Sequence, residues 1–233
     1  MEEEEEYILS SSCDELKHVT ELKPQISGKK CVLLFTDASV KMQDLHASGF
    51  VHVTCNSITI PPRDPFDVID PALPWVGHII QHNLSVNKPW PAELVNGVLQ
   101  QFCMIPEHIS SVLIVAGLKD ERLRNMYRNK SSEDNAVEAC NLVDYFLREV
   151  KEQFSNAQIV WLGLGKVKAN ATTYRHIETV VEQAEKRVWP IGIKFRNIFH
   201  KVDNSDIKNH YGQLSVSGNR KVMTILKDVL INC

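Results

Sequence analysis

Two hydrophobic patterns alternate along this chain. Short, continuous apolar runs rich in β-formers lie at Lys30–Thr36, Phe50–Thr54, Ser111–Ala116 and Gln158–Leu164, with a shorter one at Arg187–Ile193. Runs without polar alternation read as strands covered on both faces, which is how parallel strands read. Between them the spacing changes to that of a helix. Leu94, Val95, Val98, Leu99 and Phe102 share one face of a segment over 91–104, with Pro91 at its start, where a missing N–H costs nothing. Val137, Cys140, Val143, Phe146, Leu147 and Val150 do the same over Glu133–Phe154. Thr172–Arg187 repeats the pattern through Ile177, Val180, Val181 and Ala184, and Ser217–Ile231 through Val222, Ile225, Leu226 and Val229. A shorter helix is expected at Ser12–Leu22, capped by Ser12 and ended by Pro24. Residues 58–75 hold five prolines and read as a loop.

Apolar strands that alternate with amphipathic helices imply an α/β fold of three layers, α/β/α, around a five-stranded parallel sheet of the flavodoxin-like kind. In such sheets ligands sit beyond the carboxyl ends of the strands. The residues just after each strand are therefore where function is sought.

Composition narrows the class. The chain has 233 residues, 43% of them hydrophobic and 24% charged, enough for one good-sized core. Residues 1–27 form an acidic extension, expected to be partly disordered, and 28–233 a single domain. No apolar run approaches the roughly 18 residues that span a bilayer. Glu2–Glu6 are the opposite of a signal peptide's basic start. The expectation is an intracellular protein, cytoplasmic or nuclear, with no membrane partner.

The net charge of −3 hides an asymmetry. Residues 151–233 carry thirteen Lys/Arg against seven Asp/Glu, a net +6, which would suit an anionic partner. The six cysteines show no C-x-x-C pair, so zinc-ribbon and redox readings fail on spacing. His78 and His82 are four apart, as on one helix face, but no acidic ligand accompanies them. No metal site and no cofactor is expected.

Three segments stand where a parallel sheet concentrates chemistry. Phe35-Thr36-Asp37-Ala38-Ser39 follows the first strand, Ala116-Gly117-Leu118-Lys119-Asp120 follows the Ser111–Ala116 strand, and His210-Tyr211-Gly212-Gln213-Leu214-Ser215-Val216-Ser217-Gly218 precedes the last helix. In order and spacing they resemble the motifs of the SGNH/GDSL hydrolase superfamily: G-D-S, G-x-N-D and D-x-x-H-L-S-x-x-G. The resemblance covers about residues 30–231. It implies the fold of that superfamily and a site in which Ser is the nucleophile and His its base, oriented by Asp. The Ser N–H, the N–H of a Gly after the second strand, and an Asn side chain would form the oxyanion hole.

Position by position, the chemistry is missing. Ala38 stands at the nucleophile, Lys119 at the oxyanion Asn, Gln213 at the catalytic His and His210 at the triad Asp. No glycine matches near Cys55-Asn56-Ser57. Asp37, Gly117, Asp120, Leu214, Ser215 and Gly218 survive. The resemblance thus implies a pseudoenzyme, for which the catalytically dead SGNH-like domain of Oskar, associated with RNA binding, is a precedent. An active esterase or lipase would need a shifted arrangement of Ser39, His210 and Asp206.

A dead scaffold acts by binding, as an adaptor for protein, RNA or both in a larger assembly. The RNA candidates are Lys119, Arg122, Arg124, Arg128 and Lys130 after the central strand, with Lys194, Arg196 and Lys201 in the basic third. The protein-binding candidates are Phe66, Trp75 and Trp90 in the proline-rich stretch. The oligomeric state is not encoded in any of these patterns.

Overall fold

The chain's central element is β1 (Lys30–Thr36), whose residues from Val32 to Thr36 are all buried. A strand buried on both faces needs a partner on each edge and a layer above and below. In the computed structural model, which describes residues 29–36, 50–55, 58–60, 74–81, 84–101, 104–116, 133–163, 192–196, 198–208 and 214–231, β1 has all four.

On one edge β1 pairs in parallel with β4 (Trp75–Gln81), which pairs in parallel with β2 (Phe50–Cys55). The short β3 (Ile58–Ile60) closes that side antiparallel to β2. On the other edge lie β5 (Ser111–Val115), β6 (Gln158–Trp161) and β7 (Ile193–Phe195), all parallel. The sheet order is β3-β2-β4-β1-β5-β6-β7. Its β4-β1-β5-β6-β7 part has the flavodoxin-like order, in which the first strand sits second. The order reverses at β1, between β4 and β5.

Alternate residues feed two cores. Leu33, Phe35, Val112, Ile114, Ile159 and Trp161 face one way. They meet α1 (Ala92–Gln101) through Val95, Val98 and Leu99, and α2 (Glu133–Gln153) through Cys140, Val143, Phe146, Leu147 and Val150. Val32, Leu34, Leu113, Val115, Val160 and Leu162 face the other way and meet α3 (Val216–Ile231) through Val222 and Leu226. Three layers follow from this alternation.

Four of the five expected strands are present, and with β7, which shares only Ile193 with the expected fifth, they are mutually parallel within a larger sheet. β4 was not expected, because the prolines around it read as a loop. The prolines precede it: Pro74 accepts a hydrogen bond from Lys30 N at 3.0 Å, and the strand starts at the next residue. Residues 58–60 and 75 are likewise strand, not loop. His78 lies on β4, not on a helix, so the helix-face spacing with His82 does not apply to it. β7 begins at Ile193 instead of ending there. Gly192, at φ 86°, turns the chain into it, with Lys151 Nζ only 2.8 Å from where a Cβ would stand. The expected helices at Ser12–Leu22 and Thr172–Arg187 lie outside the described residues.

Two expected binding residues belong to the core. Trp75 is 2% exposed and Trp90 7%. Trp75 packs with Ile79 and Leu113 on the α3 side. Trp90 makes edge-on ring contacts with Phe35 at 4.9 Å and Phe146 at 5.5 Å. Its main-chain N–H donates to Glu149 Oε2 at 2.9 Å, and its indole N–H donates to Gln153 Oε1. Gln153 returns Nε2 hydrogen bonds to Asn96 Oδ1 and Ala92 O. Neither indole offers a surface to a partner, which corrects that expectation; Phe66 lies outside the described residues.

Candidate active-site crevice

Parallel pairing sets the ends of the three central strands side by side. Thr36 is in register with Gln81 of β4 and with Val115 of β5. β1 and β5 therefore end side by side at the switch point of the sheet, where this architecture places its ligands. Ala38 is two residues past the end of β1 and Lys119 four past the end of β5. Ala38, Ser39, Lys119, Arg122, Arg124, Arg128, Lys130, His210 and Gln213 all lie outside the described residues. The frame of the crevice is described; these side chains are not.

The topology relocates one search. The strand beside β1 is β4, so a glycine donor after the second strand belongs in 82–91, not near Cys55. That segment contains no glycine. Its described part is a turn in which Lys88 N donates to Ser85 O at 3.1 Å and Leu84 and Val86 are buried.

The third motif is described at both of its ends. A 3-10 turn over Asn204–Asp206 carries a capping box between Asp203 and Asp206. Ile207 then bridges Leu214, and Ser215 N donates to Asp206 O at 2.7 Å. Ser215 caps α3: its Oγ accepts from Gly218 N at 3.2 Å. The helix therefore starts at Val216, one residue before the expected start. Gly218 is required by space. A Cβ there would stand 2.5 Å from Asp206 O and 3.0 Å from Asp206 Cβ.

Asp206 is 3% exposed, and its carboxylate is already engaged. Ser217 Oγ donates to Oδ1 at 2.6 Å. Lys221 Nζ and the main-chain N–H of Asp203 donate to Oδ2 at 2.6 Å and 3.0 Å. Lys221 also reaches Asp203 Oδ2 at 3.0 Å. The hydrogen bond from Lys221, then those from Ser217 and Asp203, hold the Asp206 carboxyl at about 2, below its ordinary 3.8. The same carboxylates raise the Lys221 ammonium above its ordinary value. Sequence reasoning placed neither Ser217 nor Lys221 with Asp206. The available signal was their i, i+4 spacing, which sets both on one helix face.

Among the basic candidates, Lys194, Arg196 and Lys201 are exposed. Arg196 donates through one Nη1 bond to Phe195 O at 3.2 Å. Cys31 offers no nucleophile. Burial pushes its thiol up to about 12, and it donates to Met104 Sδ at 3.6 Å. No helix among the described residues is long and apolar enough to cross a membrane.

No protein-family model and no curated protein matches the chain. Solved structures do. A protein described as a platelet activating factor from Streptococcus pneumonia aligns over 97% of this chain and 95% of its own, with 13% identity and a TM-score of 0.50. The lipase Lip_vut3 from a goat rumen metagenome aligns over 86% of this chain and 97% of its own, with 11% identity and a TM-score of 0.51. At such identities the likeness concerns the fold. Together with the strand order, it gives this chain the α/β fold of the SGNH-type hydrolases.

Proposed function

We propose that this chain is a catalytically inactive SGNH-type domain that acts by binding, as an adaptor for protein or RNA within a larger assembly. The engagement of Asp206 carries the reading. The acid of a Ser-His-Asp triad works by holding the imidazole tautomer and stabilising the imidazolium that forms. A carboxylate already neutralised by Lys221 at 2.6 Å and bonded to Ser217 has little field left to offer a histidine. Its use is structural, joining the turn before α3 to the first turns of the helix. Ala38, at the position that the resemblance assigns to the nucleophile, has no hydroxyl to attack a carbonyl.

The rival reading is an esterase or lipase built on Ser39, His210 and Asp206, and the likeness to a rumen lipase favours it. Hydrolysis of p-nitrophenyl acetate separates the two. The expected result is turnover at the level of a non-enzymatic protein control, the same for wild type, Ser39→Ala and His210→Ala. Saturable turnover abolished by either change sinks the inactive reading.

A further inference from the structure

The outer face of α2 carries an aromatic side chain that the packing of the fold does not employ. Cys140, Val143, Phe146, Leu147 and Val150 turn one side of the helix to the sheet. On the opposite side Val137, Asn141 and Tyr145 follow one another at steps of four and form a row along the helix, all exposed. Val137 is 47% exposed and Tyr145 63%. The Tyr145 hydroxyl is hydrogen-bonded to Glu149, whose carboxylate also accepts from the main-chain N–H of Trp90 at 2.9 Å. An aromatic ring held by its own hydroxyl, yet left exposed, is a ready contact for a partner.

The charge around this row selects the partner. α1 and α2 carry seven Asp/Glu against Arg148 and Lys151, a net −5, whereas α3 carries Asp228 against Arg220, Lys221 and Lys227, a net +2. Both cations of α2 are already engaged. Arg148 pairs with Asp144 at 3.0 Å, and Lys151 Nζ donates to the carbonyls of Ser155 and Ala157. Among the described residues no lysine or arginine pairs with Glu149 or Glu152, one and two turns beyond Tyr145. The charge of Glu149 and its hydrogen bond, more than the charge of Glu152, raise the Tyr145 phenol above its ordinary value, so the ring stands in a negative field. A guanidinium fits such a place, because it stacks on an aromatic face and is drawn by the carboxylates beside it.

We propose that the outer face of α2 docks a basic helical segment of a partner protein, with an arginine stacked on Tyr145 beside Glu149 and Glu152 and an aliphatic side chain against Val137. Val137 and Tyr145 are eight residues apart, roughly 12 Å at about 1.5 Å per residue. A helix laid along α2 matches both when its arginine and its aliphatic residue are also eight apart. The proposal rests on the reading of the domain as a binding module, and it names a protein, not RNA, as what this face takes. The phosphates of a nucleic acid would be repelled by the same acids.

The test measures, by fluorescence anisotropy, binding of a labelled alanine-based helical peptide of about 18 residues, long enough to hold its helix. The peptide carries several arginines and one leucine, the leucine eight residues from the central arginine. A scramble of the same composition is the comparison, and every variant is checked by thermal unfolding. Wild type is expected to bind the ordered peptide about fivefold more tightly than the scramble, since at equal charge only the register differs. Tyr145→Ala should weaken binding about fivefold, the size of an exposed cation–π contact, while Tyr145→Phe, which keeps the ring, should stay within about twofold. Glu152→Lys should weaken it about fivefold, and Asp228→Lys, an equal charge change on α3, by no more than about twofold. The proposal is overturned if wild type does not prefer the ordered peptide, if Tyr145→Ala leaves binding unchanged, or if Asp228→Lys loses as much as Glu152→Lys. Direct binding of a labelled oligouridylate that is lost in Tyr145→Ala assigns the face to RNA and also overturns it. The esterase assay fails separately: turnover with the peptide preference intact removes the inactive reading and leaves this face standing, and the absence of both removes only this face.

Discussion

The two faces of the sheet are closed by different means. On the α1/α2 side, Phe35, Trp90, Phe146, Phe154 and Trp161 fill the space between sheet and helices. Polar groups there, Glu149 and Gln153, serve to hold Trp90 in place. On the α3 side Trp75 and Phe199 pack among aliphatic residues such as Val222 and Leu226, and a polar clasp of Asp206, Ser217 and Lys221 fastens the start of the helix. The first face is closed by apolar packing around an aromatic hub; the second adds a few charged hydrogen bonds to its apolar packing. Of the residues that match the hydrolase pattern, Leu214, Ser215 and Gly218 belong to the second, and Asp37, Gly117 and Asp120 lie outside the described residues. These three residues form the seam that joins α3 to the turn before it.

If this contrast is right, the largest loss comes from the aromatic hub. Trp90→Ala is expected to cost about 3–5 kcal/mol in urea unfolding, the usual range for emptying a buried Trp site. A loss below about 1 kcal/mol would show that α1 and α2 hold without it.

The clasp comes next. Asp206→Asn should cost about 1.5–3 kcal/mol at neutral pH, as for hydrogen bonds to a charged group. It should also change the acid limb. The folded Asp206 carboxyl titrates near 2 against an ordinary 3.8, so its stabilisation is complete above the higher value and is lost as pH falls toward the lower. In wild type, stability should therefore drop between about pH 4 and 2, and Asp206→Asn should remove that share of the slope. A variant that keeps the wild-type acid limb would deny the clasp its role.

Gly218→Ala tests the same seam by crowding. Forcing a Cβ against Asp206 O should cost about 1–3 kcal/mol, typical of overpacking against backbone. Thermal unfolding no different from wild type would mean that α3 slides freely on its turn. The smallest effect is expected at Gln153→Ala. It leaves the Trp90 ring packed and removes hydrogen bonds at a partly exposed site, for about 1 kcal/mol.

Legibility followed chemistry unevenly. The α2 stripe from Cys140 to Val150 was readable because a buried helix face repeats at 3.6 residues, and the structure buries those same positions. β4 was not readable. Gly77 and His78 interrupt its apolar run, and five prolines precede it; only pairing with β1 and β2 makes it a strand. Trp75 and Trp90 were misjudged for the same reason, since aromatic residues in a proline-rich stretch look exposed until the sheet that covers them is known. At the site, the absence of a nucleophile at residue 38 was legible at once. The engagement of Asp206 was not, because its partners Ser217 and Lys221 lie eleven and fifteen residues away.

The amino-acid sequence by itself determined the class of fold and the identity of residue 38, an alanine without a hydroxyl, because apolar periodicity and side-chain identity are local properties. Tertiary structure alone decided the strand order, the burial of both tryptophans and the partners of Asp206. Each of these depends on which distant segment arrives beside another, and close packing with charge neutralisation, not spacing along the chain, selects that arrangement.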